Sequence, residues 1–275
     1  MKLDGKIAAI SIKEQLKKEF SLLRKRACLA IVHYDDPASV SYLKGRLKIA
    51  EELGVEIKIF NITEKQTTED LISIILDLND DTDIDGIMVD RPLPKQFDEN
   101  KIINSIVSYK DVDGYTSLNL GNLVSNQNCL PSCTPGGALR LLEYYNVELS
   151  GKDVLVIGRS VNVGKPLSLM LLNKNATVTI SHSKTANLKD KCKTADVIFL
   201  ALGKANFLKR EDITENTIIV DIGINFDENG KMCGDASKEC YEIASSYTPV
   251  PGGVGVMTNV VLMENLLKAA KWNTK

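Results

Sequence analysis

Val154-Leu155-Val156-Ile157-Gly158-Arg159-Ser160-Val161-Asn162-Val163-Gly164-Lys165-Pro166 decides the fold. An apolar, β-branched segment stops at a glycine, turns through small and polar residues, and reaches a second glycine. Pro166-Leu167-Ser168-Leu169-Met170-Leu171-Leu172 follows with apolar residues at helical spacing. Strand, tight turn and helix start together make a phosphate cradle, because unpaired backbone N–H groups and the helix dipole both face an anion. The pattern reads G-x-S-x-x-x-G in place of G-x-G-x-x-G, a weak motif by itself.

The next strand adds to it. Ala176–Ile180 reads as a buried strand ending at Ser181-His182-Ser183-Lys184-Thr185. In a dinucleotide fold this strand end meets the adenosine ribose, where an acidic residue would select NAD. Here Ser183 and Lys184 stand at the end, and Arg159 projects from the first turn. A guanidinium and a hydroxyl suit a 2′-phosphate, so the residues favour NADP as cofactor. Away from the glycine turn, Arg159 and Ser183 would read as ordinary solvated loop residues.

Outward from this unit, strand and helix signals alternate. Toward the N-terminus lie a helix over Ile7–Leu23, a strand over Ala27–Val32, a helix over Ser39–Leu53 ended by Gly54, and a strand over Val55–Phe60. Thr67–Leu78 opens with an N-cap threonine and acidic first-turn residues, and Gly86–Val89 is a short strand halted by Pro92 and Pro94. A connecting region runs over 111–150, with a helix over Gly137–Tyr145 started at Thr134-Pro135. Beyond the glycine turn, Val197–Gly203 and Ile218–Gly223 are strand-then-glycine patterns, and Thr248–Gly255 is a rigid loop before a terminal helix over Met257–Ala270. This order predicts an α/β protein of two domains with parallel sheets. One is an N-terminal α/β catalytic domain over 1–118 that includes the helix at about 256–275. The other is a Rossmann-like dinucleotide-binding domain over 119–255, with a cleft between them.

Composition narrows the function. The chain has 275 residues, 44% of them hydrophobic, and a net charge of −2. No long basic block occurs, so nucleic-acid binding is disfavoured; the lysines of 13–25 are interleaved with Leu16, Phe20, Leu22 and Leu23 as on a solvated helix face. No stretch has the length of a membrane span and no signal-peptide core opens the chain, which predicts a cytoplasmic protein without membrane association. The six cysteines form no C-x-x-C pair and His33 and His182 are the only histidines, so reduced thiols and no metal site are expected.

Four further stretches carry a family resemblance. They are Asp36-Pro37-Ala38-Ser39-Val40-Ser41-Tyr42 with Lys48 on the same helix, Gly86-Ile87-Met88-Val89-Asp90-Arg91-Pro92-Leu93-Pro94, Lys110-Asp111-Val112-Asp113-Gly114, and Pro249-Val250-Pro251-Gly252-Gly253-Val254-Gly255 with Met257-Thr258. With the glycine turn, they resemble the methylenetetrahydrofolate dehydrogenase/cyclohydrolase family over nearly the whole chain. The resemblance implies oxidation of 5,10-methylenetetrahydrofolate to the 5,10-methenyl form with NADP, hydrolysis of the methenyl cation to 10-formyltetrahydrofolate, a folate substrate in the cleft and a homodimer. It implies cofactor contacts at Gly158, Arg159, Ser160, Ser183 and Ile224, with Thr134 and Thr258. It implies folate contacts at Tyr42, Val89, Asp90, Arg91, Asp113, Pro251, Gly252, Gly253, Val254 and Gly255. Asp113 would accept from the pterin's amino group and ring nitrogen, and Tyr42 would stack on the folate. Without the other motifs, Asp113 is a turn residue and Tyr42 a half-buried helix aromatic.

The chain departs from the family pattern at two positions. The family lysine four residues after the tyrosine is Arg46, and the family glutamine after Val89 is Asp90. Tyr42 and Arg46 share a helix face. Lysine there can shuttle a proton, whereas arginine stays protonated. A bidentate Arg46–Asp90 ion pair is expected, with Tyr42, Arg46, Asp90 and Asp113 as the catalytic set and with hydrolysis weak, lost or differently mediated. Two other readings stay open. A two-domain dehydrogenase resembling shikimate dehydrogenase keeps Gly158–Gly164 but leaves Lys110–Gly114 and Pro249–Gly255 unexplained. A catalytically silent nucleotide-binding module draws on the altered positions 46 and 90.

Overall fold

The computed structural model describes residues 1–35 and 37–273, with the backbone alone over 37–42. In chain order the elements are α1 (Gly5–Ser21), β1 (Cys28–Tyr34), α2 (Pro37–Leu53), β2 (Glu56–Ile62), α3 (Thr68–Asp80), β3 (Gly86–Val89), α4 (Glu99–Asn104), α5 (Ser117–Val124) and α6 (Cys133–Tyr144). Then follow β4 (Asp153–Ile157), α7 (Gly164–Leu172), β5 (Thr177–Ser181), α8 (Leu188–Thr194), β6 (Val197–Leu200), β7 (Ile218–Asp221), β8 (Asn225–Phe226), β9 (Met232–Cys233), α9 (Lys238–Ile243), β10 (Ser246–Tyr247) and α10 (Val254–Asn273).

The chain divides into two compact units. One comprises residues 11–133 and 259–275 and is called here the N-terminal unit. Its described strands form a parallel sheet in the order β2-β1-β3. β1 is buried along nearly its whole length, as befits a central parallel strand covered on both faces. One face packs Ala30, Val32, Ile87 and Val89 against Leu71 and Ile75 of α3 and Ile102 of α4. α3 starts on a capping box in which Thr67 and Asp70 satisfy each other's backbone N–H groups. β1 runs two residues beyond the expected Val32, because its pairing with β2 continues through His33↔Asn61 and Tyr34↔Ile62.

The other unit comprises residues 1–10 and 134–258. Its sheet is parallel in the order β10-β7-β6-β4-β5, a doubly wound arrangement that reverses at β4. Leu155, Ile157, Ile198, Leu200 and Ile219 form the core of one face with Cys192, Cys240 and Ala236. Residues 119–133, expected with this unit, pack with the N-terminal unit instead. There Asn119 donates to Ser108 O and to Asp111, Leu130 is fully buried, and Ser132 donates to Gly114 O at 3.0 Å. α5 lies in that stretch and was not expected as a helix; Thr116 caps it by accepting from Asn119 N. All six cysteines are free.

Candidate active site

In the N-terminal unit, two strand ends, one helix and one loop supply the charged side chains. Asp90 follows β3, and its backbone N–H donates to Val32 O at 2.9 Å, which sets it beside His33 at the end of β1. Ligands of parallel α/β sheets bind beyond these carboxyl ends. Arg46 reaches the same point from α2, and its Nη1 donates to Asp90 Oδ1. The expected bidentate pair is therefore corrected to a single bond. Asp90 Oδ2 is already taken by His33 Nδ1 at 2.6 Å, and Arg46 Nε has no partner among the described residues. Asp90 is 3% exposed and His33 4%, so both ion and ring sit where a missing partner is costly.

The Lys110–Gly114 loop assigns each of its residues a distinct task. Lys110 is buried and donates to the carbonyls of Leu78, Asn79 and Asp81, closing the C-terminus of α3; burial lowers its pKa. Asp111 accepts from Gly114 N, Thr116 N and Asn119 Nδ2. Val112 is fully buried. Gly114 has φ +71°, and a Cβ there would stand 2.5 Å from Pro131 C. Asp113 is held by side chains alone, with the Cys133 thiol as one partner. No described backbone N–H reaches its carboxylate. Burial pushes its pKa up to about 6, against the pull of the Arg91 guanidinium, whose Nη2 lies 3.8 Å from Oδ2. Arg91 lies over the Tyr115 ring, its Cζ 3.7 Å from the centroid, and Nη1 reaches Glu99 at 3.4 Å. The charge of Arg46 is also felt at Asp113. Val89 points into the core, so only its backbone can face a ligand. The side chain of Tyr42, and Asp36, lie outside the described residues.

The other unit builds the glycine cradle. Gly158 sits at φ +136°, and a Cβ there would overlap the Ala201 carbonyl. A Cβ on Gly164 would overlap Gly158 O, so turn and helix start are in direct backbone contact. Ser160 Oγ accepts from Val163 N at 3.1 Å and Gly164 N at 3.4 Å, ordering the turn into α7. Arg159 and Ser160 are exposed. Gly158 N donates to Ser181 O at 3.0 Å, so the ends of β4 and β5 lie side by side, with Arg159 and Ser183 following one and two residues beyond that bond. This close-packed turn, closed by two glycines at a helix N-terminus, fits a dinucleotide pyrophosphate.

Two buried carboxylates that the sequence analysis overlooked hold the neighbouring loops. Asp221 at the end of β7 accepts from Gly223 N, Asp235 N and Ala236 N, and burial pushes its pKa up to about 7. Asp235 accepts from Leu202, Gly203 and Lys204 N after β6 and from Asn225 Nδ2. Ile224 lies between these loops, 43% exposed. A Cβ on Gly255 would stand 3.8 Å from Ile224 Cδ1, which places the Pro251–Gly255 loop next to it. Within that loop, a Cβ on Gly253 would stand 2.5 Å from Pro249 O, so the chain turns back on itself. A Cβ on Gly137 of α6 would stand 3.1 Å from the Met257 and Thr258 backbone, with Thr134 one turn earlier.

Known proteins show the same build. Residues 3–113 match the catalytic domain of tetrahydrofolate dehydrogenase/cyclohydrolase, and residues 132–274 match its NAD(P)-binding domain. The bifunctional protein FolD of Bacillus subtilis is 44% identical over 98% of this chain and 97% of its own length. The FolD methylenetetrahydrofolate dehydrogenase/cyclohydrolase of Campylobacter jejuni superposes with a TM-score of 0.96 at 40% identity, covering 98% of each chain. The Trypanosoma brucei FolD enzyme, solved with NADP cofactor and an inhibitor, superposes with a TM-score of 0.90 at 29% identity over 99% of this chain and 97% of its own. With both family domains matched in order and identity above 40% along the whole chain, this protein belongs to the tetrahydrofolate dehydrogenase/cyclohydrolase family.

Proposed function

We propose that the protein oxidises 5,10-methylenetetrahydrofolate to 5,10-methenyltetrahydrofolate with NADP. The observation that carries this reading is the unused carboxylate of Asp113. Its neighbour Asp111 is consumed by the fold, whereas Asp113 accepts no described backbone N–H and has only side chains beside it, the Arg91 guanidinium and the Cys133 thiol. A carboxylate held this way offers two acceptor oxygens to the pterin's amino group and ring N–H. Arg91 keeps it aligned from one side.

NADP supplies the hydride acceptor when bound. The turn at Gly158 and Ser160 would hold its pyrophosphate through backbone N–H groups other than those of Gly158 and Gly164, which bond Ser181 O and Ser160 Oγ, with Arg159 and Ser183 at its 2′-phosphate and Ile224, Thr134 and Thr258 flanking the remainder. The folate's own nitrogen lone pairs stabilise the cation as hydride leaves, so the chain's task is orientation and exclusion of water. Tyr42 and the Pro251–Gly255 backbone complete the proposed folate contacts. Hydrolysis to 10-formyltetrahydrofolate is the second proposed activity, and Arg46 cannot be its base. The proposed protein is a cytoplasmic homodimer; among the described residues no helix is long and apolar enough to cross a membrane.

The test is a paired assay on one preparation: NADP reduction with methylenetetrahydrofolate, and decay of methenyltetrahydrofolate corrected for its spontaneous rate. Turnover with the folate and none with shikimate is expected. Tight NADP binding without turnover would favour the silent nucleotide-binding module.

A further inference from the structure

We infer that His33 is the proton-carrying group of the hydrolytic step, in place of the lysine that this chain lacks. The inference rests on the function proposed above.

Four observations support it. His33 is the penultimate residue of β1, at the carboxyl edge of the sheet, beside Asp90, which follows β3. Its Nδ1 lies 2.6 Å from Asp90 Oδ2. A carboxylate at that distance sets the tautomer: the Nδ1 proton points at Asp90, so in the neutral ring Nε2 is the acceptor. No described residue takes up Nε2. The third observation is the other half of Asp90: Oδ1 receives Arg46, so a permanent cation already balances the carboxylate while it orients the ring. The last is the sheet edge itself. Arg46, which holds Asp90, also makes its charge felt at Asp113, the proposed pterin anchor. Residues 33, 46 and 90 thus form one connected unit at the folate end of this unit's sheet.

The step balances without any further reagent. A water oxygen bonds to the methenyl carbon while His33 Nε2 takes one of its protons. The bond from that carbon to N5 then breaks, N5 receives the proton from His33, and the remaining hydroxyl proton leaves to solvent as the formyl carbonyl forms. No group is oxidised or reduced.

The deciding variant is His33→Asn. The asparagine amide nitrogen takes the place of Nδ1 and still donates to Asp90, but no distal base remains. His33→Gln is the second variant, which places an amide near Nε2 that cannot accept a proton at neutral pH. Wild type is expected to hydrolyse methenyltetrahydrofolate above the spontaneous rate. In both variants the ratio of hydrolysis to hydride transfer should fall about 100-fold, the size expected for loss of a general base. A ratio within about twofold of wild type in either folded variant overturns the inference, since a residue that merely supports Asp90 would be replaced by Asn. Wild type that transfers hydride but hydrolyses no faster than buffer overturns it while leaving the dehydrogenase reading standing. Loss of both activities in wild type overturns that reading and this inference with it.

Discussion

Arg91 and Asp113 face each other at 3.8 Å in the N-terminal unit, yet Asp113 stays harder to ionise than an ordinary aspartate. Burial outweighs the guanidinium. The native carboxyl titrates at about 6 against 3.8 for a free side chain, so between these values the folded protein holds a proton that the unfolded chain has lost. Stability therefore falls as pH rises from about 4 to about 6, by an amount on the order of 3 kcal/mol for this site. Urea unfolding of the free protein across that range should show the decline, and Asp113→Asn should flatten it by this share. Asp221 contributes in the same direction up to about 7, so the slope will not vanish. For catalysis the sign reverses: a pterin donor edge needs the ionised carboxylate. KM for the folate should rise as pH drops below about 6, and Asp113→Asn should raise KM and abolish that dependence.

Removing Arg91 exposes the other side of this balance. Arg91→Ala takes away the cation that favours the Asp113 carboxylate and the guanidinium stacked on Tyr115. The acid limb of the KM profile should move to higher pH, with a stability loss of about 1 kcal/mol from the lost cation–π contact. Arg91→Lys should retain the charge and lose the stacked plane. An acid limb that moves to lower pH in Arg91→Ala would contradict the assignment.

Asp90 has two partners and almost no solvent, which makes its loss asymmetric. Asp90→Ala leaves the Arg46 guanidinium buried without its carboxylate and should cost about 3–5 kcal/mol in urea unfolding. The paired change Arg46→Met with Asp90→Leu removes both ions and should be far less destabilising than the sum of its single variants. Additivity of the two would show that the pair is not coupled.

How much of this was legible beforehand depended on whether a residue's task was local. The glycine cradle was legible because strand, turn and helix follow one another in sequence, and Gly158 and Gly164 announce a backbone contact that only glycine allows. Asp113 was legible only through a family motif, since the sequence gives no reason why Asp111 and not Asp113 should be consumed by Gly114, Thr116 and Asn119. His33 was lost because the apolar run ends at Val32, while the strand is extended by pairing with a partner 28 residues away. That omission also produced the bidentate expectation at Asp90, whose second oxygen was assumed free. Asp221 and Asp235 were passed over for a related reason: apart from Gly223, their donors come from loops 10 or more residues away, and a strand-then-glycine pattern draws attention to the glycine.

Glycine substitutions separate the cradle from ordinary backbone freedom. Gly164→Ala must push against the Gly158 carbonyl and Gly158→Ala against that of Ala201, and Gly158 also holds a positive φ. Each should cost about 1–3 kcal/mol and weaken NADP binding by at least about tenfold in a fluorescence titration. Gly121 in α5 has nothing within 4 Å of an added Cβ and serves as the contrast. Gly121→Ala should stabilise the protein by about 0.5–1 kcal/mol with unchanged NADP affinity.

The proposed 2′-phosphate contacts predict that coenzyme choice is set at the exposed ends of β4 and β5. Gly158 N bonds Ser181 O, so the residues that follow, Arg159 and Ser183, leave adjacent strand ends and no acidic side chain stands between Ser181 and Thr185. A 2′-phosphate placed there gains a charge-assisted contact from Arg159 worth about 1.5–3 kcal/mol, whereas a bare ribose hydroxyl gains little from it. Arg159→Ala should therefore raise the Kd for NADP by about tenfold or more and leave that for NAD within about twofold. Ser183→Asp goes further, because its carboxylate repels the phosphate and can accept from the ribose hydroxyls. That variant should invert the preference in a side-by-side titration with both coenzymes. Equal weakening of NAD and NADP by Arg159→Ala would instead place the guanidinium on the pyrophosphate shared by the two, and the selection of NADP would then have to come from elsewhere on this edge.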